Sequence, residues 1–196
     1  MIKNYEDYKS YLSADALANS RVMNITFSKK ISELLFPDII WKFIKLLRKA
    51  EYHKNSSGVF HNLLYVFYFY KFRKISVRLG FSIPLNVFGP GVSIPHYGTI
   101  VVNGNSRIGK NCRIHAGVNI GASGGSDFSP IIGDNVYIGP GAILFGEIYI
   151  ANNITIAANA TVYKSFEIKN TTIGGTPAVV LKDQTNTWWE KNRLSL

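Results

Sequence analysis

The fold is decided by residues 131–156, IIGDNVYIGPGAILFGEIYIANNITI, in which an aliphatic residue returns at every sixth position. A helix repeats its apolar residues about every 3.6 positions and a strand at every second one, so neither produces this spacing. A six-residue period predicts a parallel β-helix. The period runs from residue 102 to residue 168, and eleven of its twelve positions are aliphatic: Val102, Ile108, Ile114, Ile120, Ser126, Ile132, Ile138, Leu144, Ile150, Ile156, Val162 and Ile168.

Small and turn-forming residues occupy fixed places in each unit. The residue after the aliphatic position is often Gly or Ala. The third residue after it is often Asn or Gly, as at Asn105, Asn111, Gly117, Asn135, Gly141, Asn153 and Asn159. Both residue types tolerate the left-handed backbone that tight corners require. Each unit therefore predicts one short strand and one corner, with three units closing a triangular coil around a shared core.

The charge is concentrated in the first part of the chain. Residues 1–80 hold 14 Lys and Arg against 6 Asp and Glu, whereas residues 81–196 hold 8 against 6. Such a basic region can contact nucleic acid, an anionic membrane surface or an acidic polymer. Since no nucleic-acid-binding motif accompanies it, we expect no nucleic-acid partner. We divide the chain into a helical basic region (1–80), a β-helix domain (81–183) and a C-terminal cap or tail (184–196).

Two helices are predicted in the basic region. The first lies within residues 30–52, with Pro37 in its first turn and with Lys42, Lys45, Arg48 and Lys49 among its apolar residues. The second runs from about residue 59 to residue 79 and mixes seven aromatic residues with Lys and Arg. Its aromatic residues either pack against the base of the β-helix or a neighbouring subunit, or lie on an anionic membrane. Both interpretations stay open.

The location of the protein is predicted from features that the sequence lacks. The N-terminus has polar and acidic residues where a signal peptide has an apolar core, and the longest apolar run, residues 63–70, is too short to span a bilayer. The single cysteine, Cys112, is predicted to be a buried thiol in a reducing compartment. We expect a cytoplasmic protein, with peripheral contact at the inner face of the membrane as the alternative.

The candidate catalytic groups are two histidines in the repeat region. His96 lies where the six-residue phase slips, and His115 directly follows an inward isoleucine and should project at a corner. Near physiological pH, a neutral imidazole can accept a proton from a hydroxyl group. His53 and His61 lie in the basic region without a recognisable carboxylate partner, so we predict no catalytic role for them.

The repeat is interrupted by the glycine-rich segment 121–131, GASGGSDFSPI. This segment lies between Ile120 and Ile132 and occupies two hexapeptide lengths, so the register is preserved across it. We predict a short loop that projects from one corner of the coil.

Four segments together resemble the serine acetyltransferase branch of the hexapeptide acyltransferases: PHYGTIVVN (95–103), NIGASGG (119–125), IGPGAILFG (138–146) and GGTPAVVL (174–181). The resemblance covers about residues 81–183. It implies a mainly β fold, a left-handed parallel β-helix after an α-helical N-terminal region. It also implies acetyl-CoA as the donor, no metal, and a homotrimer or dimer of trimers with active sites between adjacent subunits.

The resemblance also implies roles for individual residues. His96 falls on the family's general base, and His115 is the alternative base or an acceptor-site residue. The candidate contacts for the oxyanion and the coenzyme are Gly121, Ala122, Ser123, Gly139, Ala142, Ala160 and Gly175, with Lys164 or Lys182 for a phosphate. The candidate acceptor contacts are Tyr97, Asp127 and Phe128.

The sequence departs from the serine acetyltransferase pattern at two places. The family carries an aspartate fifteen residues before the base, where this chain has Phe81, and Arg-His before the loop proline, where this chain has Phe128 and Ser129. From these departures we predict that the acceptor is a sugar hydroxyl of a bacterial surface polysaccharide or its precursor, since the pattern is more similar to capsule O-acetyltransferases.

Several alternatives to this function stay open. They are serine O-acetylation for cysteine biosynthesis, antibiotic acetylation, and a non-catalytic β-helix that binds a glycan through its basic half. A γ-type carbonic anhydrase shares the fold, but a resemblance to that family implies a zinc site of three histidines. The repeat region of this chain holds two histidines, so this alternative is disfavoured.

Overall fold

The computed structural model describes residues 1–21, 35–184 and 187–190. Helices α1 (Tyr5–Ala18), α2 (Ile39–Asn55) and α3 (Val59–Leu79) come before the strands. The strands are β1 Phe81–Ser82, β2 Ile100–Val102, β3 Arg107–Ile108, β4 Arg113–Ile114, β5 Asn119–Gly121, β6 Ile131–Ile132, β7 Tyr137–Ile138, β8 Ile143–Phe145, β9 Tyr149–Ile150, β10 Thr155–Ile156, β11 Thr161–Val162, β12 Thr172–Gly175 and β13 Ala178–Lys182.

The strands stack into three faces of a parallel β-helix. One face has the order β1-β2-β5-β8-β11, the second has β4-β7-β10-β12 with β13 antiparallel at its edge, and the third has β3-β6-β9. The six-residue period supplies the core, because ten of its twelve positions are buried: Val102, Ile108, Ile114, Ile120, Ile132, Ile138, Leu144, Ile150, Ile156 and Val162. The predicted β-helix is confirmed.

The two other positions of the period are not core positions. Ser126 is exposed because it lies in the loop between β5 and β6. Ile168 is 69% exposed. Phe166 lies next to Ile150 in the last coil instead and packs against the core. The prediction that the repeat extends to Ile168 is wrong, because the chain leaves the regular coil after Val162.

A second column of inward residues stands four positions after the first. Cys112, Val118, Val136, Ala142, Ile148, Ile154 and Ala160 are all buried in this column. Burial raises the pKa of the Cys112 thiol well above its usual range, so the thiol stays protonated. This agrees with the prediction of a buried structural cysteine.

The corners of the coil contain left-handed residues, as the sequence predicts. Among the predicted corner residues, Asn111, Gly117, Asn135, Gly141, Asn153 and Asn159 have positive φ. Asn105 is the exception, and its backbone N–H instead donates to the side chain of Asn103 at 2.9 Å. Four asparagines form a ladder, in which Asn111 donates to Asn135, Asn135 to Asn153 and Asn153 to Asn170, each at 2.8 or 2.9 Å.

The helices agree with the sequence in part. The bounds of α3 are those predicted. Residues 30–34 of the first predicted helix lie outside the described residues, and α2 begins at Ile39. Pro37 precedes this helix and does not lie in its first turn. Asp38 caps α2, because its side chain accepts a hydrogen bond from the Trp41 N–H at 2.9 Å. No helix in the described part of the chain is long and apolar enough to cross a bilayer.

The helices close the first end of the coil through an aromatic cluster. The Phe43 ring lies 5.3 Å from the Phe72 ring and 5.1 Å from the Phe81 ring, measured between centroids. All three side chains are buried in the same hydrophobic core as the coil residues. The inner face of α3 thus packs against the base of the β-helix, as the first interpretation of the second helix predicts. Phe60, Phe67 and Tyr70 on its outer face stay exposed, so both interpretations stay open for them.

A buried ion cluster fixes α1 and α2 to the first coil. Arg48 donates to Asp15 at 2.7 Å, to Glu51 at 2.9 Å and to the carbonyl oxygens of Phe88 and Gly89 at 3.0 and 2.7 Å. Asp15 also accepts from two backbone N–H groups of the first coil at 2.8 and 2.9 Å. The two carboxylates raise the pKa of the Arg48 guanidinium above its usual range. The cluster therefore holds the coil that carries His96 in a defined position.

Candidate active site

The first coil carries two residues more than the coil beside it. Strand and bridge pairing place residues 94–102 alongside residues 114–120, and the first span is two residues longer. The extra length forms a corner that holds His96 and Tyr97, and both side chains are exposed. The phase slip in the sequence is thus an insertion that projects His96 away from the core.

His115 lies close to His96 although nineteen residues separate them in the sequence. It follows β4, and its backbone N–H donates to the carbonyl of Ile138 at 3.2 Å. The His115 ring centroid lies 6.1 Å from that of His96 and 5.0 Å from that of Tyr137. The structure therefore brings the two predicted catalytic histidines together at one corner.

Burial and the neighbouring Arg113 together set the protonation state of the His115 ring. The Nε atom of Arg113 donates to His115 Nε2 at 3.4 Å, so the neutral imidazole carries its proton on Nδ1. Burial, the charge of Arg113 and the neighbouring His96 lower the pKa of His115 to about 4. His115 is uncharged at neutral pH and is a weak base there. Among the described residues, no hydrogen bond engages the His96 ring, which leaves both of its nitrogens accessible.

A cavity of about 410 Å³ lies beside His96. The start of α2, the end of α3 and the His96 corner enclose it, and it is lined by Asp38, Arg78, Leu79, Pro95, His96 and Tyr97 among others. Asp38 is held in place because it caps α2 and forms an ion pair with Arg21. The residues that line the cavity thus include a basic, an acidic and an imidazole side chain: Arg78, Asp38 and His96.

The two charged residues of this cavity, Asp38 and Arg78, are not among the site residues predicted from the sequence. An Asp directly before a run of helix-forming apolar residues is a signal for a helix cap, which could have located Asp38. Arg78 had no such signal, because it is one of several cations on α3.

The glycine-rich segment projects from the coil as predicted. Between Ile120 and Ile132 it adds six residues relative to the next coil. Its fold is fixed by a hydrogen bond from the Ser126 N–H to the Ser123 carbonyl at 2.8 Å. Asn105 Nδ2 also donates to the Asp127 carbonyl at 2.8 Å. Ser123, Asp127 and Phe128 are exposed, and Gly121 and Ala122 are half-buried at the base of the loop.

The acceptor-site candidates do not form one cluster in the single chain. Within the described residues, no hydrogen bond or ring contact joins Tyr97 to Asp127 or Phe128. Tyr97 belongs to the corner of His96, whereas the other two belong to the loop. A site that used all three would combine two separate surfaces of the coil.

The remaining coenzyme-site candidates spread along the later coils. Gly139 occupies the position equivalent to His115 in the next coil. The backbone N–H of each residue donates to a carbonyl of the coil that follows it, that of Ile138 for His115 and that of Ile156 for Gly139. Ala142 and Ala160 face the core, so their backbone alone could contact a ligand. Gly175 ends β12 with a φ of +98°. Gly175, Lys164 and Lys182 are exposed.

The two histidines outside the repeat also meet. His53 Nδ1 and His61 Nδ1 lie 3.0 Å apart between α2 and α3. No cluster of three or more His, Cys, Asp or Glu side chains that could hold a metal occurs in the described residues.

The repeat half of the chain is similar in sequence to serine acetyltransferases. The serine acetyltransferase of Staphylococcus epidermidis is 35% identical over 98 residues, which are 49% of this chain and 46% of the relative. The chain therefore spans about half the length of the relatives it matches. No family model matches the chain.

The fold is that of the same enzymes. The serine acetyltransferase of Brucella abortus has a TM-score of 0.70 and 25% identity, over 92% of this chain and 71% of that one. A second structure of the B. abortus enzyme contains coenzyme A (TM-score 0.67, 24% identity, 92% and 70% coverage). The soybean serine acetyltransferase complexed with serine has a TM-score of 0.70 and 24% identity, over 90% and 70%.

The prediction of a sugar acceptor is contradicted by these comparisons, because the relatives and the structures are serine acetyltransferases. That prediction relied on residues that the chain lacks. The structure shows that Phe81 is a core residue, buried against Phe43. Phe81 therefore carries no information about the acceptor. The absence of the Arg-His pair is likewise no evidence for a sugar site.

The predicted resemblance to serine acetyltransferases is confirmed for the repeat half of the chain, whereas the predicted greater similarity to capsule O-acetyltransferases is not supported. The repeat half of this chain is related in sequence to the hexapeptide-repeat serine acetyltransferases, and the chain shares their left-handed β-helix.

Proposed function

We propose that this protein transfers the acetyl group of acetyl-CoA to the hydroxyl of serine, with His96 as the general base. The observation that carries the proposal is the cavity beside His96, which presents Asp38 and Arg78 together with the imidazole. Serine has an ammonium group, a carboxylate and a hydroxyl, and these three residues match them in turn. The similarity to serine acetyltransferases supports the same acceptor.

Arg78 and Asp38 would hold the two charged groups of serine. The guanidinium of Arg78 can bind a carboxylate through two parallel hydrogen bonds. The Asp38 oxygens already accept from the Trp41 N–H and from Arg21. Because a carboxylate has about four lone-pair sites, Asp38 can still accept a hydrogen bond from an ammonium group. These residues would replace the family's Arg-His pair, which this chain lacks.

His96 rather than His115 would take the proton. The His115 Nε2 lone pair already accepts from Arg113, and its low pKa makes it a weak base. His96 is exposed at the cavity and its ring has no hydrogen-bond partner in the described part of the chain. An imidazole nitrogen of His96 would remove the hydroxyl proton while the serine oxygen attacks the thioester carbonyl. The coenzyme thiolate would then leave and take the proton from the imidazolium.

The donor would lie along the coil next to this corner. Acetyl-CoA as the donor is supported by the similar B. abortus structure with coenzyme A. Backbone N–H groups at Gly121, Ala122 or Ser123 would stabilise the oxyanion. The pantetheine arm of the coenzyme would pass Gly139, Ala142, Ala160 and Gly175, with Lys164 or Lys182 contacting a phosphate. We further propose a homotrimer or a dimer of trimers, in which Asp127, Phe128 and Tyr97 of different subunits face one site.

The test is an acetyl-transfer assay on the full-length protein. With acetyl-CoA and L-serine, we expect thiol release together with O-acetylserine detected by mass spectrometry. His96→Gln should lower kcat by about a hundred- to ten-thousand-fold, and Arg78→Met should raise the KM for serine without changing that for acetyl-CoA. Thiol release without O-acetylserine would overturn the proposed acceptor. If His115→Gln removes activity and His96→Gln keeps it, the assignment of the base is reversed.

A further inference from the structure

The outer face of α3 carries a stripe of large apolar side chains. Val59, Phe60, Leu63, Val66, Phe67, Tyr70 and Val77 are each between 48% and 77% exposed. Their spacing of three, four and seven residues places them on one side of the helix. The buried side chains Phe72, Ile75 and Leu79 lie on the opposite side, against the rest of the protein. The helix is therefore apolar on two faces, and the fold covers one of them.

A basic groove runs beside this stripe. It has a volume of about 490 Å³ and lies between α2 and α3. Its walls contain six cations and three less polar side chains: Lys42, Lys45, Lys49, Lys71, Lys74, Arg78, Leu46, Tyr68 and Ile75. None of the described residues that line the groove is Asp or Glu, and the sequence has neither between residues 52 and 126.

Several cations of the groove lie over aromatic rings. Lys71 lies 4.0 Å above the Phe67 ring and Lys74 lies 4.5 Å above the Tyr70 ring. Lys49 lies 5.0 Å above Tyr68. None of the six cations forms an ion pair with a carboxylate in the described residues. Within the described part of the chain, no carboxylate compensates this charge, and Lys71 and Lys74 stand directly next to the apolar stripe.

We propose that this surface, the α3 stripe with the basic groove, docks the protein on an anionic lipid bilayer. Apolar side chains would enter the boundary between headgroups and acyl chains, while Lys and Arg contact anionic headgroups. The charge favours a membrane over a second copy of the chain, because two such surfaces would bring twelve cations together. Arg78 also lines the cavity of the proposed acceptor site, so the test changes Lys71 and Lys74, which lie outside that cavity. The inference does not depend on which acceptor that cavity binds.

The test is co-sedimentation of the full-length protein with lipid vesicles. We expect binding to vesicles of phosphatidylcholine with phosphatidylglycerol, no binding to phosphatidylcholine alone, and release in high salt. Each cation removed should weaken binding about fivefold, so Lys71→Glu with Lys74→Glu should weaken it at least about twenty-fivefold. The matched control is Lys110→Glu with Lys169→Glu, which makes the same change in net charge at exposed positions elsewhere and should bind within about twofold of the unmodified protein.

A third variant tests the apolar stripe. Leu63→Ser with Phe67→Ser should also weaken binding to the anionic vesicles while circular dichroism stays unchanged. Absence of binding by the unmodified protein would overturn the proposal, as would equal weakening in the Lys110 and Lys169 control. If the Ser variant instead lowers the mass of the oligomer in sedimentation velocity and the unmodified protein ignores vesicles, the stripe is an interface between copies.

Discussion

The coil and the helical region are stabilised in different ways. In the coil, ten units add the same contact, an inward aliphatic side chain stacked on that of the next coil. In the helical region, one arginine holds α1, α2 and the first coil together through Asp15, Glu51 and two backbone carbonyls. Stability is spread over many similar contacts in the first case. In the second, the polar contacts are concentrated at one arginine, beside the apolar contacts of the Phe43, Phe72 and Phe81 cluster.

The difference matters for the site, because His96 belongs to both regions. Its corner is the first irregular coil, and the ion cluster binds the segment 88–92 that leads to it. The cavity beside His96 is also closed by residues of α2 and α3. The regular coils provide the scaffold, and the ion cluster sets the position of the candidate base.

The largest effect is expected where stability is concentrated. Arg48→Met should lower the free energy of unfolding by about 3–5 kcal/mol, because it leaves Asp15 and Glu51 buried without a counter-charge. Urea denaturation followed by circular dichroism measures this. Arg73→Met, an exposed change, is the control and should alter the value by less than about 0.5 kcal/mol. Equal losses in the two variants would mean that the cluster is not the anchor of the helical region.

Within the coil, a single core truncation should cost less. Leu144→Ala removes one fully buried side chain and should lower the free energy of unfolding by about 3 kcal/mol. Ile168→Ala changes a residue that has the same six-residue phase but is 69% exposed. It should cost less than about 0.5 kcal/mol in the same urea experiment. A large loss from Ile168→Ala would restore this residue to the core and contradict the structure.

The sequence predicts the coil well because each unit repeats the same physical constraint. Ten separate residues report the same inward direction, so one exception such as Ser126 does not hide the pattern. The second inward column is harder to see, because it mixes residues as different as Cys112, Val118 and Ala142. The end of the repeat was misplaced since Ile168 satisfies the period by chance.

The helical region is less predictable because its contacts join distant residues. Arg48 stands among Lys42, Lys45 and Lys49 in the sequence and looks like another exposed cation of α2. Its partner Asp15 lies 33 residues away, and no local pattern connects the two. At the site, the phase slip located His96, and the resemblance supported it. The cavity with Asp38 and Arg78 needed the packing of α2 against α3, which sequence spacing does not determine.

The corners of the coil offer a smaller and separate test. Asn135 has a φ of 59° and takes part in the asparagine ladder. Asn135→Ala should lower the free energy of unfolding by about 2 kcal/mol, because alanine is strained in this conformation and the ladder bonds are lost. Asn135→Gly keeps the backbone conformation, so it should lose about 1 kcal/mol. Equal losses would show that the side-chain ladder, and not the backbone, determines the stability of the corner.

The smallest effect concerns the histidine that joins the coil to the site. His115 has a pKa of about 4 in the folded protein and about 6.5 when unfolded. Between these two pH values the unfolded chain binds more protons than the folded protein, so the free energy of unfolding rises with pH. The contribution of His115 to stability is therefore complete above about pH 6.5 and is lost as the pH falls toward 4. His115→Gln should remove about 1 kcal/mol of this dependence between pH 8 and pH 5, less than the full shift would give because solvent screens the half-exposed ring. At pH 8 the His115 ring is neutral in both the folded and the unfolded protein, so the effect of His115→Gln there measures packing alone. That value is the reference for urea denaturation at pH 5. An unchanged pH dependence would mean that the charge of Arg113 and burial do not control this ring, and would reopen His115 as the proton acceptor.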